Sequence, residues 1–296
     1  CRNTNEFWVP LIEKAFAKIH NCYEALIAGY LDDALTDMTG LVSEKVKIQD
    51  PKAAIGVDAT EALWKKLKGY HEAGTMLGCS VTGQEGETEH EVEIDGEPVG
   101  IYKGHAYSII DIIELPNPNS QKPHKSHRLL RLRNPWGQKE WNMKWSDGSP
   151  KLMENLKKLN QVIKERALKN KDFEEFDPEA NDGTFLMCFK DWRTIFQNLF
   201  ASVDFPDEWS GVRYVDEWNE ENSGGTPLRS SVTAFEQWAK NPQFIVSLDN
   251  PTKLFISLGQ PDGRLVHGLK FPFKENIHPV CFTVCKLDEG EKRVAK

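Results

Sequence analysis

The sequence predicts an α+β protein followed by a smaller all-β unit, and three observations carry that prediction. Apolar residues recur at helical spacing through the first 74 positions. Period-two apolar alternation then takes over around an Asp-Gly turn. From about residue 208 the chain offers only short strand-like runs between turn residues. A length of 296 residues suffices for two or three units with cores of their own. The boundaries expected are 1–40 for a helical segment, 41–207 for the main α+β body, and 208–296 for the β unit.

Residues 7–35 read as helical. Trp8, Leu11, Ile12, Ala15 and Ile19 fall on one face, and Pro10 suits a first turn, where a missing N–H costs nothing. A second helical stretch, "YEALIAGYLDDALTDMTG", stops at Gly40, the residue type best able to take the left-handed conformation that closes a helix. A third helix fits residues 59–74. "MLGCSVTG" reads as a buried strand, and "HEVEIDGEPVGIYKG" as two strands around Asp95-Gly96. "HAYSIIDIIEL" and "HRLLRLRNPWG" are strands separated by the loop "PNPNSQKPHKS". In the second, Leu130 and Leu132 alternate with Arg131 and Arg133, the pattern of a half-buried strand. Residues 151–177 form a charged helical run in which Leu152, Leu156, Leu159 and Ile163 make an apolar stripe that caps the core or docks a partner. "NDGTFLMCFKDWRTIF" reads as turn, strand and short helix. "NPQFIVSLDNPTKLFISLGQPDGR" and "HPVCFTVCKL" suggest part of a β-sandwich.

A net charge of −8 argues against nonspecific binding to nucleic acid or to an anionic membrane, and is neutral about calcium. No apolar run approaches the ~20 residues that span a bilayer. No leader sequence is visible in "CRNTNEFWVP", and the chain does not begin with methionine, so the true start is expected upstream. The six cysteines, at 1, 22, 79, 188, 281 and 285, lack the paired spacing of a zinc site. They suit a reducing cytosol and are expected to be mostly buried small hydrophobes.

The chemistry concentrates in "GHAYSII" and "RLRNPWGQKEW". If the two strands form an antiparallel hairpin with His105 opposite Asn134, the register centre falls between Asn119 and Ser120, inside the Pro/Asn/Ser loop where a turn belongs. Histidine and asparagine would then share a hydrogen bond that fixes the tautomer and ring plane. The second ring nitrogen is left to take a proton from a nucleophile. A structural histidine and an ordinary turn packed by tryptophan remain the alternative.

These two stretches closely resemble the histidine and asparagine motifs of calpains, the papain-like, calcium-dependent cysteine proteases. The likeness continues in order along the chain. It takes in "NEFWVPLIEKAFAKIHNCYEAL" with "ALTDMTG", "GTMLGCSV", "NDGTFLMCFKDW" and "NPQFIVSL". It implies that 1–40 is the end of the first half of a papain-like protease core, 41–207 the complete His/Asn half, and 208–296 part of the calpain β-sandwich. It further implies His105 as general base, Asn134 as the residue that orients it, and Trp136 as the cleft tryptophan that shields or blocks the site. Glu6 matches a calcium ligand of the first half. Glu140, Asp147 and Asp182 match side-chain ligands of the second-half calcium site, and Ala180 matches a backbone-carbonyl ligand; oxygen donors of this kind suit Ca²⁺. Two departures stand out. Thr184 occupies a place where calpains commonly carry a calcium-binding glutamate, and the 151–177 helical run is longer than usual.

The family's nucleophile is a cysteine followed by tryptophan, upstream of "EFW". No cysteine here precedes tryptophan. The resemblance therefore implies the His/Asn part of a Cys-His-Asn triad with no nucleophile in this chain, both ends truncated, and no peptidase activity by these residues alone. Two expectations follow. One is a calpain-like endopeptidase acting on protein substrates in the cytoplasm, including at the cytoskeleton. The other is a catalytically inactive subunit that scaffolds a larger assembly.

Overall fold

A six-stranded antiparallel sheet organises the first of two units, Cys1–Asp204 and Phe205–Lys296. The computed structural model describes residues 5–48, 57–83, 90–117, 126–170, 176–205, 208–226, 232–260 and 280–287. The first unit opens with α1 (Trp8–Ile19), a 3₁₀ turn at Tyr23–Leu26, α2 (Leu31–Thr39), β1 (Val42–Lys47), α3 (Val57–Glu72) and β2 (Met76–Val81). The hairpin β3 (Glu91–Ile94) and β4 (Glu97–Tyr102) forms its own two-stranded sheet. Then come β5 (His105–Leu115), β6 (His127–Arg133), α4 (Pro150–Met153), α5 (Leu156–Asn170), β7 (Thr184–Cys188), α6 (Phe189–Ile195) and β8 (Asn198–Val203). Strand order in the large sheet is β1-β8-β2-β5-β6-β7. All the registers are antiparallel.

Local sequence explains the punctuation. Gly40 closes α2 with φ 70°, and Asp95-Gly96 (φ 54° and 83°) makes the two-residue β3–β4 turn, whose paired positive φ values follow the strand twist. The α1 stripe behaves unlike the helical pattern that announced it: Trp8, Leu11, Ile12 and Ile19 stay exposed, and Ala17 is the buried residue of that helix.

Both faces of the sheet are covered. One carries Cys79, Tyr107, Ile109, Ile112, Leu130, Leu132, Phe185 and Leu199 against Trp64 and Leu67 of α3 and Trp192 and Ile195 of α6. The other carries Ile113, Leu115, Leu129 and Leu186 against Trp145, Leu152, Leu159, Ile163 and Phe176. The 151–177 run thus caps the core through its apolar stripe; residues 171–175 lie outside the described residues. This double burial corrects the half-buried reading of β6. Arg131 is buried, its guanidinium 5.5 Å from the Phe176 ring, because a helical layer covers the face that alternation assigns to solvent.

β5 changes phase midway. A bulge between Ile109 and Asp111 turns Ile109 and Ile112 to one face and Ile113 and Leu115 to the other. Asp111 Oδ1 fixes the bulge, accepting from Ile112 N (2.7 Å), His71 Nε2 of α3 (2.9 Å) and Arg166 Nη1 of α5 (3.1 Å). One carboxylate thereby joins both covering layers to the central strand.

In the second unit the described residues form one helix, α7 (Val232–Trp238), and no strand. Asn241 ties its turns together. Its Oδ1 accepts from Trp218 Nε1 (3.0 Å) and Gly224 N (3.1 Å), and its Nδ2 donates to Gly225 O (2.9 Å). The sandwich strands expected over residues 208–296 are therefore not formed among the described residues. Phe244, Ile245, Val246, Phe255 and Ile256 are exposed, with no layer packed over them among the described residues.

Candidate active site

His105 opens β5 and stands opposite Val81 of β2. Asn134 follows the last residue of β6, Arg133, which is opposite Ser108. That register would set Asn134 across from Tyr107, two residues away from the direct pairing with His105 that the loop-centred hairpin predicts. The difference has two causes. The hairpin centre lies one to two residues beyond the point the loop suggested, the bulge at Ile109/Asp111 recovering one residue of that offset, and Asn134 has already left the ladder. Asn134 N donates to Gly183 O (2.8 Å), and Gly137 N donates back to Asn134 O (2.9 Å), closing the Asn-Pro-Trp-Gly turn. The turn restores what the register withholds: His105 Nε2 lies 2.9 Å from Asn134 Oδ1.

The polarity of that bond follows from its surroundings. Asn134 is fully buried, its Nδ2 donates to Lys139 O (3.0 Å), and its Oδ1 accepts from Trp136 N (3.1 Å). The amide orientation is thus set twice over, and Oδ1 has only acceptor capacity to offer the imidazole. Nε2 must carry the proton and donate it, leaving Nδ1 with its lone pair as the basic nitrogen. Trp136 lies over the ring, with centroids 4.3 Å apart and tilted by 32°, and Tyr107 meets it edge-on at 5.0 Å.

Gly183 is required by close approach. With φ 83°, a Cβ there would come within 2.7 Å of Gly137 Cα and 2.8 Å of Asn134 O. The quoted Asp-Gly pair of "NDGTF" was the signal available in the sequence. Tyr107, Tyr102 and the Lys139 carbonyl were missed; only the two-residue spacing from His105 to Tyr107, which puts both side chains on one strand face, pointed to any of them.

The acidic residues gather beside this turn. Glu140 Oε1 accepts from Gly183 N (2.9 Å), and Asp182 Oδ1 accepts from Thr184 N (2.7 Å). Burial, and then the charge and hydrogen bond of Glu140 with the charges of Asp182 and Asp177, push the Asp147 carboxyl up to about 8. Its Oδ1 is buried with no hydrogen-bond partner among the described residues. Ala180 lies in the neighbouring turn, its N–H donating to Asp177 O (3.3 Å). Three of the expected ligands, Glu140, Asp147 and Asp182, are thus mutual neighbours. Their oxygens and crowded charge suit a hard cation. Even so, among the described residues no group of three or more His, Cys, Asp or Glu side chains is arranged to hold a metal ion. Thr184 is buried at the start of β7 and brings no charge. Glu6 sits apart at the start of α1, accepting from Trp8 Nε1 (3.2 Å).

No described cysteine is among the contacts of His105. Cys79 is buried opposite Tyr107, and burial pushes its thiol far up, more than the Trp192 hydrogen bond lowers it. Cys188 donates to Asp191 Oδ2 (2.9 Å); burial, then that bond, raise its thiol to about 11. Cys22 is half-buried, and Cys281 and Cys285 are exposed, so only Cys79 meets the expectation of a buried small hydrophobe; Cys1 lies outside the described residues.

The calpain family cysteine protease model matches residues 1–202. Among curated proteins, the calpain-type cysteine protease DEK1 of Zea mays is 32% identical over 272 residues, covering 88% of this chain and 11% of that protein. Calpain-5 of Caenorhabditis elegans is 29% identical over 270 residues, covering 84% of this chain and 40% of its own length. Calpain-9 of Rattus norvegicus is 32% identical over 257 residues, covering 82% and 32% respectively. The chain thus spans well under two thirds of the relatives it matches.

Proposed function

Because the chain belongs to the calpain family of cysteine proteases, we propose that it supplies the His/Asn half of a calpain-like endopeptidase acting on protein substrates. The observation that carries this reading is the His105 Nε2–Asn134 Oδ1 contact at 2.9 Å, inside a turn that fixes the asparagine amide. His105 Nδ1 takes the proton of a cysteine thiol contributed by another segment. The thiolate attacks the scissile carbonyl, and the imidazolium returns the proton to the leaving amine. Asn134 holds the ring plane throughout, and Trp136 keeps water from the Nε2–Oδ1 bond. A cation held by Glu140, Asp147, Asp182 and the Ala180 carbonyl would offset the charge crowded there. The neutral Thr184 makes such binding weak and limited to one site, and isothermal calorimetry that found two tight sites would contradict this. We place the activity in the cytoplasm and at the cytoskeleton.

The test uses this chain joined to a segment that carries the cysteine nucleophile, called the longer protein below. Calcium-stimulated cleavage of casein is expected and should vanish in His105→Ala, while the 296-residue chain alone should cleave nothing. Cleavage by the isolated chain would refute the placement of the nucleophile outside it. Thr184 favours a second reading, a non-catalytic scaffold subunit. Serine, glycine or lysine at the nucleophile position of the longer sequence would select it.

A further inference from the structure

Tyr102, the last residue of β4, touches both walls that enclose the His105 imidazole. Its backbone N–H donates to the Tyr107 hydroxyl (2.9 Å), and the Tyr107 ring meets the imidazole edge-on at 5.0 Å. Its own ring meets Trp136 edge-on at 5.1 Å, and Trp136 lies over the imidazole at 4.3 Å. Its hydroxyl donates to Glu91 Oε2 (3.3 Å), while Glu91 Oε1 accepts from Gly100 N (2.5 Å). The β3–β4 hairpin therefore holds Tyr102 from behind, and Tyr102 holds the two aromatic walls in front.

We propose that Tyr102 is a positioning residue for the His105–Asn134 pair: its ring fixes Trp136 against the imidazole and so keeps water from the Nε2–H···Oδ1 bond. This rests on the reading of that pair as base and orienting amide. Trp136 is 39% exposed. The bond from Trp136 N to Asn134 Oδ1 (3.1 Å) fixes the turn backbone but leaves the indole's own torsions open, and a lateral contact sets them. Tyr102 is the aromatic residue that provides one. The effect is carried by the ring, because an edge-on aromatic pair is worth up to about tenfold in an equilibrium, whereas the Glu91 bond is long.

The test is the proton on His105 Nε2, observed by NMR in the full 296-residue chain. A solvent-protected imidazole N–H is expected in the parent chain, together with a nuclear Overhauser contact between His105 and Trp136. Tyr102→Phe should keep both. Tyr102→Leu should lose the Overhauser contact and speed exchange of the Nε2 proton by up to about tenfold. Tyr102→Met, which fills the gap with a flexible chain, should do the same and serves if the leucine variant fails to fold. Parent-like protection and contact in a folded Tyr102→Leu or Tyr102→Met chain would overturn the proposal. The reading of His105 as a base stands or falls separately, on casein cleavage by His105→Ala in the longer protein.

Discussion

Replacing Asn134 by alanine isolates the link on which the site depends. Asn134 is fully buried, and its side chain serves three partners: His105 Nε2 at 2.9 Å, Trp136 N at 3.1 Å and Lys139 O at 3.0 Å. A hydrogen bond of this kind contributes about 1 kcal/mol net, and a buried group left without a partner costs more. Three bonds would set the loss near 3 kcal/mol, but His105 and Trp136 are partly exposed and water replaces part of what they lose. The expected destabilisation is therefore about 2 kcal/mol, or ~4–8 °C in melting temperature for a unit of this size. Asn134→Leu keeps more side-chain volume without the bonds and should lose a similar amount, which separates hydrogen bonding from packing. In the longer protein, the unoriented imidazole should lower kcat about 10²-fold with KM little changed. Thermal unfolding by circular dichroism and casein cleavage measure the two effects. A melting temperature within about 1 °C of the parent, with kcat intact, would refute the claim that the amide holds the ring.

Three further outcomes follow from the same structure. Burial raises the Asp111 carboxyl, but the hydrogen bond and charge of His71 and the charge of Arg166 outweigh it and hold it below its usual range. Its contribution is thus present above pH ~4 and lost as pH falls through the lowered folded value. Asp111→Asn should cost about 2 kcal/mol in urea melts at pH 7 and progressively less as the pH falls below ~4; a cost that does not change with pH would refute the ionic part. Asp147 carries the opposite sign. Its folded carboxyl is raised to about 8 by burial and by Glu140, so the penalty is absent below pH ~4 and grows as pH climbs to 8. Because that carboxyl is half-exposed and screened, Asp147→Asn should stabilise the chain by about 1–2 kcal/mol at pH 8 in chelator, with no gain at pH 4; loss of stability at pH 8 would contradict this. Gly183→Ala should unfold or distort the Asn134 turn at a cost of ~3 kcal/mol or more, since its Cβ has no room and its φ is positive; a melting curve like the parent's would show that the turn yields.

Local pattern announced the elements whose chemistry is local. Asp95-Gly96, the Gly40 stop and the apolar runs of β2 and β5 each needed only neighbouring residues to be read. β1 and β8 were not legible, because "VSEKVK" and "NLFASV" draw their strand character from pairing with each other and, for β8, with β2, far away in sequence. Arg131 and the α1 stripe misled for a related reason: alternation reports which residues are apolar, and burial depends on what later covers them. The candidate site divides the same way. His105 and Asn134 stood out through their turn and strand-end positions, whereas Tyr102 and Tyr107 read as ordinary strand aromatics until the hairpin was folded against them.

The misplaced register is instructive because the conclusion it supported survived it. A sheet fixes side chains in steps of two residues along a strand, too coarse to bring one imidazole nitrogen within 2.9 Å of one amide oxygen. The fine adjustment is made off the ladder, by the Asn134–Gly137 turn and by Gly183, whose N–H is held by Glu140 Oε1 and whose carbonyl receives Asn134 N–H. Two hydrogen bonds through one glycine therefore separate the acidic cluster from the residue that orients the imidazole. Charge at Glu140 and geometry at His105 are joined through the Glu140 carboxylate, the Gly183 backbone and the Asn134 amide. Gly183 must lack a Cβ because the same turn brings Gly137 Cα within 2.7 Å and Asn134 O within 2.8 Å of where it would stand, so a change in how Glu140 is held bears on Asn134 as well as on β7.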